Sequence, residues 1–409
     1  MDTVTFLLLV GACWLFLIFI TNNKWVRLKN PEIGLGYALF RTQRFNSILE
    51  RIAKISRKSW RYFFDVGVLV CLGILFAAVL MFSVNLLNWI RLVFIDGITS
   101  AGSVSGSGVG DPLAILPAIP GFSIGFRELP YFFVAIAIGA ALHELAHGVA
   151  ARAENLDVKS TGLLFFFVFF GAFVEPNEAQ VRKANLRRQL RIYAAGAFVN
   201  LVIVILLLPL AFPPIFNFGL SMFYDANASG ALVLEVCPAP FEEDCPASLA
   251  GLYPGSVVVS GTYANATTLI FQNKSDFDKF SNGTKAGEEI QLEVLGRQSM
   301  VNVTTIGLET ANNSRGYIGL FSYDFHQPRL SAIDPLFHYY LYNVVTYTFS
   351  LSLILALMNL LPIPPLDGDK VIKCVISSKR AVKWIRVVTL LVFAGNIGFS
   401  LLISGVGRG

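Results

Sequence analysis

The chain has 409 residues, of which 55% are hydrophobic and only 14% charged, with a mean hydropathy of +0.62 and a net charge of +5. A soluble domain carries roughly 25% charged residues, so this composition excludes a soluble globular protein and implies a polytopic membrane protein. The modest positive charge sits in loops beside apolar segments, without base-stacking or helix-turn-helix patterning, which excludes a nucleic-acid partner.

Six apolar stretches, at about 4–21, 66–90, 131–151, 192–212, 336–361 and 385–405, read as spans. Each offers the roughly 20 residues that a lipid bilayer requires. The first is not read as a cleaved signal, because Asp2 precedes it, basic residues follow it and no small-residue cleavage site is evident. Residues 23–62 hold ten Lys/Arg, 152–191 seven and 370–386 six, whereas 91–130 holds only Arg91 and Arg127. The basic loops are therefore expected on the cytosolic side, and both termini opposite. The chain divides accordingly. Residues 1–90 form two spans and a basic loop, and 91–130 an extracytosolic loop. The core runs over 131–213, a separate domain covers 228–322, and 335–409 complete the core and the last span.

Residues Gly97 to Gly110 are Gly/Ser-rich and read as a flexible linker. Asp111 to Phe126 is apolar but interrupted by Pro112, Pro117 and Pro120, which suits a loop lying against the membrane. The third span then carries His143-Glu144-Leu145-Ala146-His147. On a helix the two imidazoles share a face and can grip one metal ion, while Glu144 can take a proton from an activated water. Ionisable residues inside a span are expensive and mark function by default. Such an H-E-x-x-H pattern is the signature of zinc metalloproteases.

Leu163 to Val174 is apolar and aromatic but too short to cross a bilayer. It is expected as a re-entrant β-hairpin entering from the cytosolic side, an interfacial segment being the alternative. From about Asn217 to Asp334 hydrophobicity falls and short alternating stretches appear at Ala231–Val236, Ser256–Val259, Ile290–Leu295 and Val301–Ile306. These predict a small β-rich domain, with a short helix at Ser275–Phe280. All six N-x-[ST] sequons (Asn227, Asn265, Asn273, Asn282, Asn302, Asn312) fall in this loop, which agrees with an extracytosolic address. Cys237 and Cys245 lie there too and could form a local disulfide on an oxidising side.

Two histidines leave a catalytic zinc one protein ligand short. His326 and His338 are the spare histidines, and both suit interfacial or structural roles better. The far end of the fifth span offers Met358-Asn359-Leu360-Leu361-Pro362-Ile363-Pro364-Pro365-Leu366-Asp367-Gly368-Asp369. Its prolines break the helix, and Asp367 follows where a turn can aim a carboxylate inward. In the six-span topology Asp367 reaches the same cytosolic half as the two histidines. Asp369 is the rival carboxylate.

The combination of His143-Glu144-x-x-His147, Gly171-Ala172-Phe173-Val174, Asn359-x-x-Pro362 and Leu366-Asp367-Gly368 resembles the site-2 protease family of intramembrane zinc metalloproteases. The likeness runs from roughly Leu116 to Asp369 and looks closest to the eukaryotic and archaeal branch, without the long Cys-rich insertion of the animal enzyme. The order of parts in the β-rich domain, from Pro246–Gly255 to Arg315–Gly319, resembles a PDZ domain. The resemblance implies a fold of about six transmembrane helices with a re-entrant hairpin and an extracytosolic PDZ-like α+β domain. It further implies one Zn2+ bound by His143, His147 and Asp367, Glu144 as the base and Asn359 bordering the site as a catalytic partner. The hairpin residues Gly171, Ala172, Phe173 and Val174 would bind substrate. The expected partners are the lipid bilayer and single-pass transmembrane protein substrates, in a plasma membrane if the source is prokaryotic and a Golgi or ER membrane if eukaryotic. The rival readings are a zinc transporter, which would string ligands along a pathway, and a non-catalytic membrane PDZ scaffold.

Overall fold

The structure, a computed structural model, describes residues 31–34, 37–43, 45–95, 112–166, 169–238, 245–307, 315–330 and 332–406, with isolated positions between 8 and 15. The expected span at 4–21 falls almost wholly outside these residues, as does the Gly97–Gly110 linker. The chain forms two compact units, Met1–Leu207 with Tyr347–Gly409, and Leu208–Thr346.

In chain order the first unit opens with β1 (Pro31–Gly34), β2 (Tyr37–Thr42), α1 (Asn46–Ile55), α2 (Arg57–Phe94) and α3 (Leu129–Ala153). It continues through β3 (Val158–Phe166), β4 (Phe169–Pro176), α4 (Glu178–Lys183) and α5 (Leu186–Leu207). The second unit holds α6 (Pro213–Gly219), β5 (Ala231–Val236), α7 (Pro246–Leu249), β6 (Val257–Thr262), β7 (Thr268–Ile270) and α8 (Lys274–Gly283). It goes on with β8 (Glu289–Val294), β9 (Val301–Thr304), β10 (Ile306–Gly307), β11 (Gly316–Tyr317) and β12 (Leu320–Asp324). Helix α9 (Pro335–Asn359) leads back to the first unit, which ends with α10 (Asp367–Val375) and α11 (Lys379–Val406).

Among the described residues five helices, α2, α3, α5, α9 and α11, are long and apolar enough to cross a membrane. They account for five of the six expected spans. The interiors of α2, α3, α5, α9 and α11 carry no proline beyond the first turn, and Pro130 sits in the first turn of α3, where a missing N–H costs nothing. Helix α5 is the central one, since 56% of its apolar window is buried against 17–39% in the other four. Its first turns are pinned by charge. Arg191 donates to Asp65 of α2 through Nε at 2.7 Å and to Glu154, just past α3, through Nη1 at 2.6 Å. Glu154 is buried, so the pair fixes the axial position of α5 against α3.

The prolines of segment 112–120 prevent a helix, and its freed backbone groups find side chains instead. Leu113 N–H donates to Asn85 Oδ1 at 2.7 Å, Asn85 Nδ2 returns a bond to Leu113 C=O, and Ile115 N–H donates to Ser400 Oγ at 2.8 Å. Polar side chains on α2 and α11 thus replace the water that a bilayer does not supply.

The expected hairpin forms between β3 and β4, but it is one end of a larger sheet of order β1-β2-β3-β4, antiparallel throughout. Residues 31–42, read from sequence as part of a solvated basic loop, supply β1 and β2. The physical reason is that β3 would otherwise leave a row of amides and carbonyls unpaired along one edge. Strand β4 keeps one edge without a strand partner among the described residues.

The second unit is built on an antiparallel sheet of order β12-β5-β6-β8-β9, with β7 beside β6. The alternation in β8 places Ile290, Leu292 and Val294 inside and Glu289, Gln291 and Glu293 outside. Helix α8, capped by the Asn273 side chain on Asp276 N–H, lays Phe277 and Phe280 on that core beside Phe271. Strand β12 has no clear alternation, because a bulge between Phe321 and Ser322 breaks its period as it pairs with β5. Cys237 and Cys245 are bridged, joining the end of β5 to the start of α7. Phe280 is wholly buried. Phe280→Ala is expected to cost this unit about 3–5 kcal/mol, read as earlier loss of near-ultraviolet dichroism on heating the full chain.

Candidate active site

Three side chains converge in the first unit. His143 and His147 lie one turn apart on α3, so both rings face α5 and the start of α10. Asp367 is the first residue of α10 and is buried. Its Oδ2 lies 3.1 Å from His143 Nε2 and 2.9 Å from His147 Nε2, and the two Nε2 atoms are 3.1 Å apart. Among the described residues this is the one group of three or more His, Cys, Asp or Glu side chains with a shared focus.

Local sequence explains how Asp367 arrives there. Helix α9 ends at Asn359, and the prolines at 362, 364 and 365 turn the chain before α10 begins. Gly368 then packs so tightly that an added Cβ would lie 2.0 Å from Leu360 C=O, which only glycine permits. The second carboxylate oxygen, Oδ1, accepts from Lys370 Nζ at 2.9 Å. Burial disfavours the charged form of Asp367, but the two imidazoles and Lys370 outweigh it and hold the carboxyl well below the usual range. The rival Asp369 is engaged elsewhere, in ion pairs with Arg386 and Lys373 at 2.5 and 2.6 Å.

Helix α5 contributes what sequence reading missed. His147 Nδ1 lies 2.7 Å from Ile192 C=O, and His143 Nδ1 lies 3.2 Å from Asn200 Nδ2. Midway between them, a Cβ on Gly196 would lie 2.5 Å from both Nε2 atoms. A glycine so placed leaves room where two imidazole nitrogens and a carboxylate oxygen already point. The donors, two nitrogens and one oxygen, are those of a zinc site with one position left open. The residues present therefore fit a zinc ion.

Glu144 sits one residue past His143 and is held from the sheet, its Oε2 accepting from Val174 N–H at 2.9 Å. That bond shows the Val174 amide turned away from β3. In an antiparallel ladder amides alternate in direction, so Ala172 also presents its N–H at the free edge of β4, while those of Gly171 and Phe173 serve the pairing with β3. A Cβ on Gly171 would meet nothing within 4 Å. A cleft of about 680 Å³ opens beside these groups, lined by Glu144, His147, Phe173, Val174, Tyr193 and Asp367 among others. Cys374 lines it as well, but burial raises its pKa against the opposing effect of Lys373, so a thiolate nucleophile is not on offer.

The Asn359 amide donates to Leu355 C=O on its own helix at 3.0 Å. His326 and His338 lie in the second unit, ring centroids 4.3 Å apart, with Asn217 between their Nε2 atoms.

A family model matches much of the chain. That of Peptidase family M50 matches residues 131–402, from α3 into α11. The chain belongs to Peptidase family M50, the site-2 protease family. Members of this family are zinc-dependent metalloproteases, and the helices place this one in a membrane. The chain is 25% identical over 374 residues to an uncharacterized protein of Methanocaldococcus jannaschii, covering 90% of this chain and 84% of that protein. It is 23% identical over 199 residues to a membrane-bound transcription factor site-2 protease homolog of Arabidopsis thaliana, covering 47% of this chain and 36% of that protein. The Gly-x-x-x-Asn spacing of Gly196 and Asn200, small then polar on one helix face, is the signal that could have marked α5 in advance. Gly196→Ala is expected to abolish zinc retention, because its methyl would fill the space between the imidazoles. Metal content of the purified variant, measured beside the helical dichroism that confirms folding, checks this.

Proposed function

We propose that this M50 protein is an intramembrane zinc metalloprotease that hydrolyses a peptide bond within or near the transmembrane segment of single-pass membrane proteins. The observation that carries this reading is the convergence of His143, His147 and Asp367 beside Glu144, on or next to helices of membrane-spanning length. A transporter would spread its ligands along a pathway, whereas these close on one point. A non-catalytic scaffold would have no need of Glu144 at that distance.

His143, His147 and Asp367 would hold zinc, which when bound supplies Lewis acidity that polarises a peptide carbonyl and acidifies a water. Glu144 takes the proton of the attacking water and passes it to the leaving amine. The Val174 amide keeps the Glu144 carboxylate turned toward the cleft. A transmembrane helix hides its peptide bonds in its own hydrogen bonds, so cleavage requires unwinding and new partners for the freed groups. Within Gly171, Ala172, Phe173 and Val174 the Val174 amide is taken by Glu144 and those of Gly171 and Phe173 by β3, so the edge of β4 at Ala172 would offer such a partner by strand addition. Asn359 borders the turn that carries Asp367 and has no step assigned to it.

The β unit, with its short strands, α8 and sequons, is read as a PDZ-like domain outside the cytosol that selects or excludes substrate ectodomains. Asn227, Asn265, Asn282 and Asn302 are exposed there, as glycan acceptors must be. The basic loops and the cleft would then face the cytosol.

Glu144→Gln is expected to lower cleavage of a tagged transmembrane substrate by about 10²–10⁴-fold with zinc content unchanged. Activity within tenfold of wild type would require a different base. The ladder direction makes Ala172 the sharper probe of strand addition, since Gly171→Pro would break the pairing with β3 instead. Ala172→Pro, which removes an outward amide and touches no ligand, should slow cleavage of transmembrane substrates severely while zinc stays bound. A folded, zinc-loaded Ala172→Pro variant with full activity would rule out strand addition at this edge.

A further inference from the structure

The two site histidines are committed in the same sense. Both turn Nε2 toward Asp367; with zinc held among the three, each Nε2 offers its lone pair to the metal and each Nδ1 carries the proton. For His147 the proton has an obvious acceptor, the Ile192 carbonyl, at 2.7 Å. For His143 the group facing Nδ1 is the Asn200 amide, at 3.2 Å, two turns farther along α5. Asn200 is completely buried. If its Nδ2 faced a protonated Nδ1, two donors would confront each other.

An amide's oxygen and nitrogen ends have nearly the same shape, and the hydrogen-bond network decides which faces which partner. The other end of Asn200 has no partner among the described residues, so nothing but the imidazole sets the direction of the amide. A wholly buried amide satisfied at one end only is costly in an apolar interior, and such a residue calls for a purpose. The His143 proton supplies one.

We infer that Asn200 is a positioning residue that accepts the Nδ1 proton of His143 through Oδ1 and so locks the ring with Nε2 free to ligate. Together with the Ile192 carbonyl it makes α5 a template for both imidazoles. The spacing suits this role: the acceptors lie eight residues apart on a helix running opposite to α3, with Gly196 clearing the space between them. This inference rests on the proposal that His143 is a zinc ligand.

The test uses the purified full chain, with zinc affinity measured by competition against a chelator. Asn200→Asp accepts but cannot donate, and Asn200→Leu does neither. Asn200→Leu should weaken zinc binding by about 10–100-fold, the usual effect of removing a partner of a ligating histidine, while Asn200→Asp should stay within about threefold of wild type. An interhelical bond of purely structural purpose would not distinguish the two in zinc affinity. Equal loss in both variants would make Asn200 a donor and overturn the inference, as would wild-type affinity in Asn200→Leu. Should a variant not fold, histidine nitrogen magnetic resonance on the zinc-loaded wild type decides. A protonated Nδ1 on His143 coupled to the Asn200 side chain supports the inference, and a bare acceptor Nδ1 overturns it. His143→Ala serves as the separate control. Undiminished zinc affinity there would sink the ligand assignment itself, whatever Asn200 does.

Discussion

Two imidazoles and a carboxylate in mutual contact inside an apolar helical core are the constraint on which the rest of this structure depends. Polar groups in such a place are costly unless each hydrogen-bonding atom has a partner, and here the partners come from one element. Helix α5 presents Ile192 C=O and Asn200 to the two Nδ1 atoms, with Gly196 between them. This arrangement works only at one axial and rotational setting against α3. The buried contacts of Arg191 with Asp65 and Glu154, one residue before Ile192, hold α5 at that setting. Charge at the end of a helix thereby controls geometry in its apolar middle.

The carboxylate of the cluster is delivered by the failure of a helix. Prolines end the α9 segment, and Gly368 fits against Leu360 so closely that no side chain could replace its hydrogen. Asp367 therefore starts α10 pointing back into the core, where Lys370 donates to its second oxygen, while the buried Asp369 is taken up by Lys373 and Arg386. The sheet meets the cluster from another direction, because the bond from Val174 N–H ties the Glu144 carboxylate to β4. Helix α3 and strand β4 thus share one hydrogen bond, so a shift of the strand would move the Glu144 carboxylate as well.

Much of this was legible in the chain itself. The spacing of His143 and His147, the prolines before Asp367 and the alternation of residues 289–294 are short-range patterns, and each became the expected element. The strands at 31–42 were hidden within a basic stretch that also reads as a solvated loop, and β12 by a bulge that breaks its period. The sequence marks Gly171 to Val174 together, but which amides of β4 face outward is a matter of register, and register turns those of Ala172 and Val174 away from β3.

The sequence by itself therefore determined the membrane class, the five described spans, the ligand types and the breaks that place them, since these follow from composition and from neighbours a few residues apart. Only the tertiary structure decided that α5 sets Ile192 C=O and Asn200 against the two imidazoles, that Asp367 and not Asp369 joins them, and that Asn359 bonds to its own helix. Those outcomes depend on how helices far apart in the chain rotate and slide against one another. That setting is fixed by the sum of many packing contacts, and no local pattern of residues carries it.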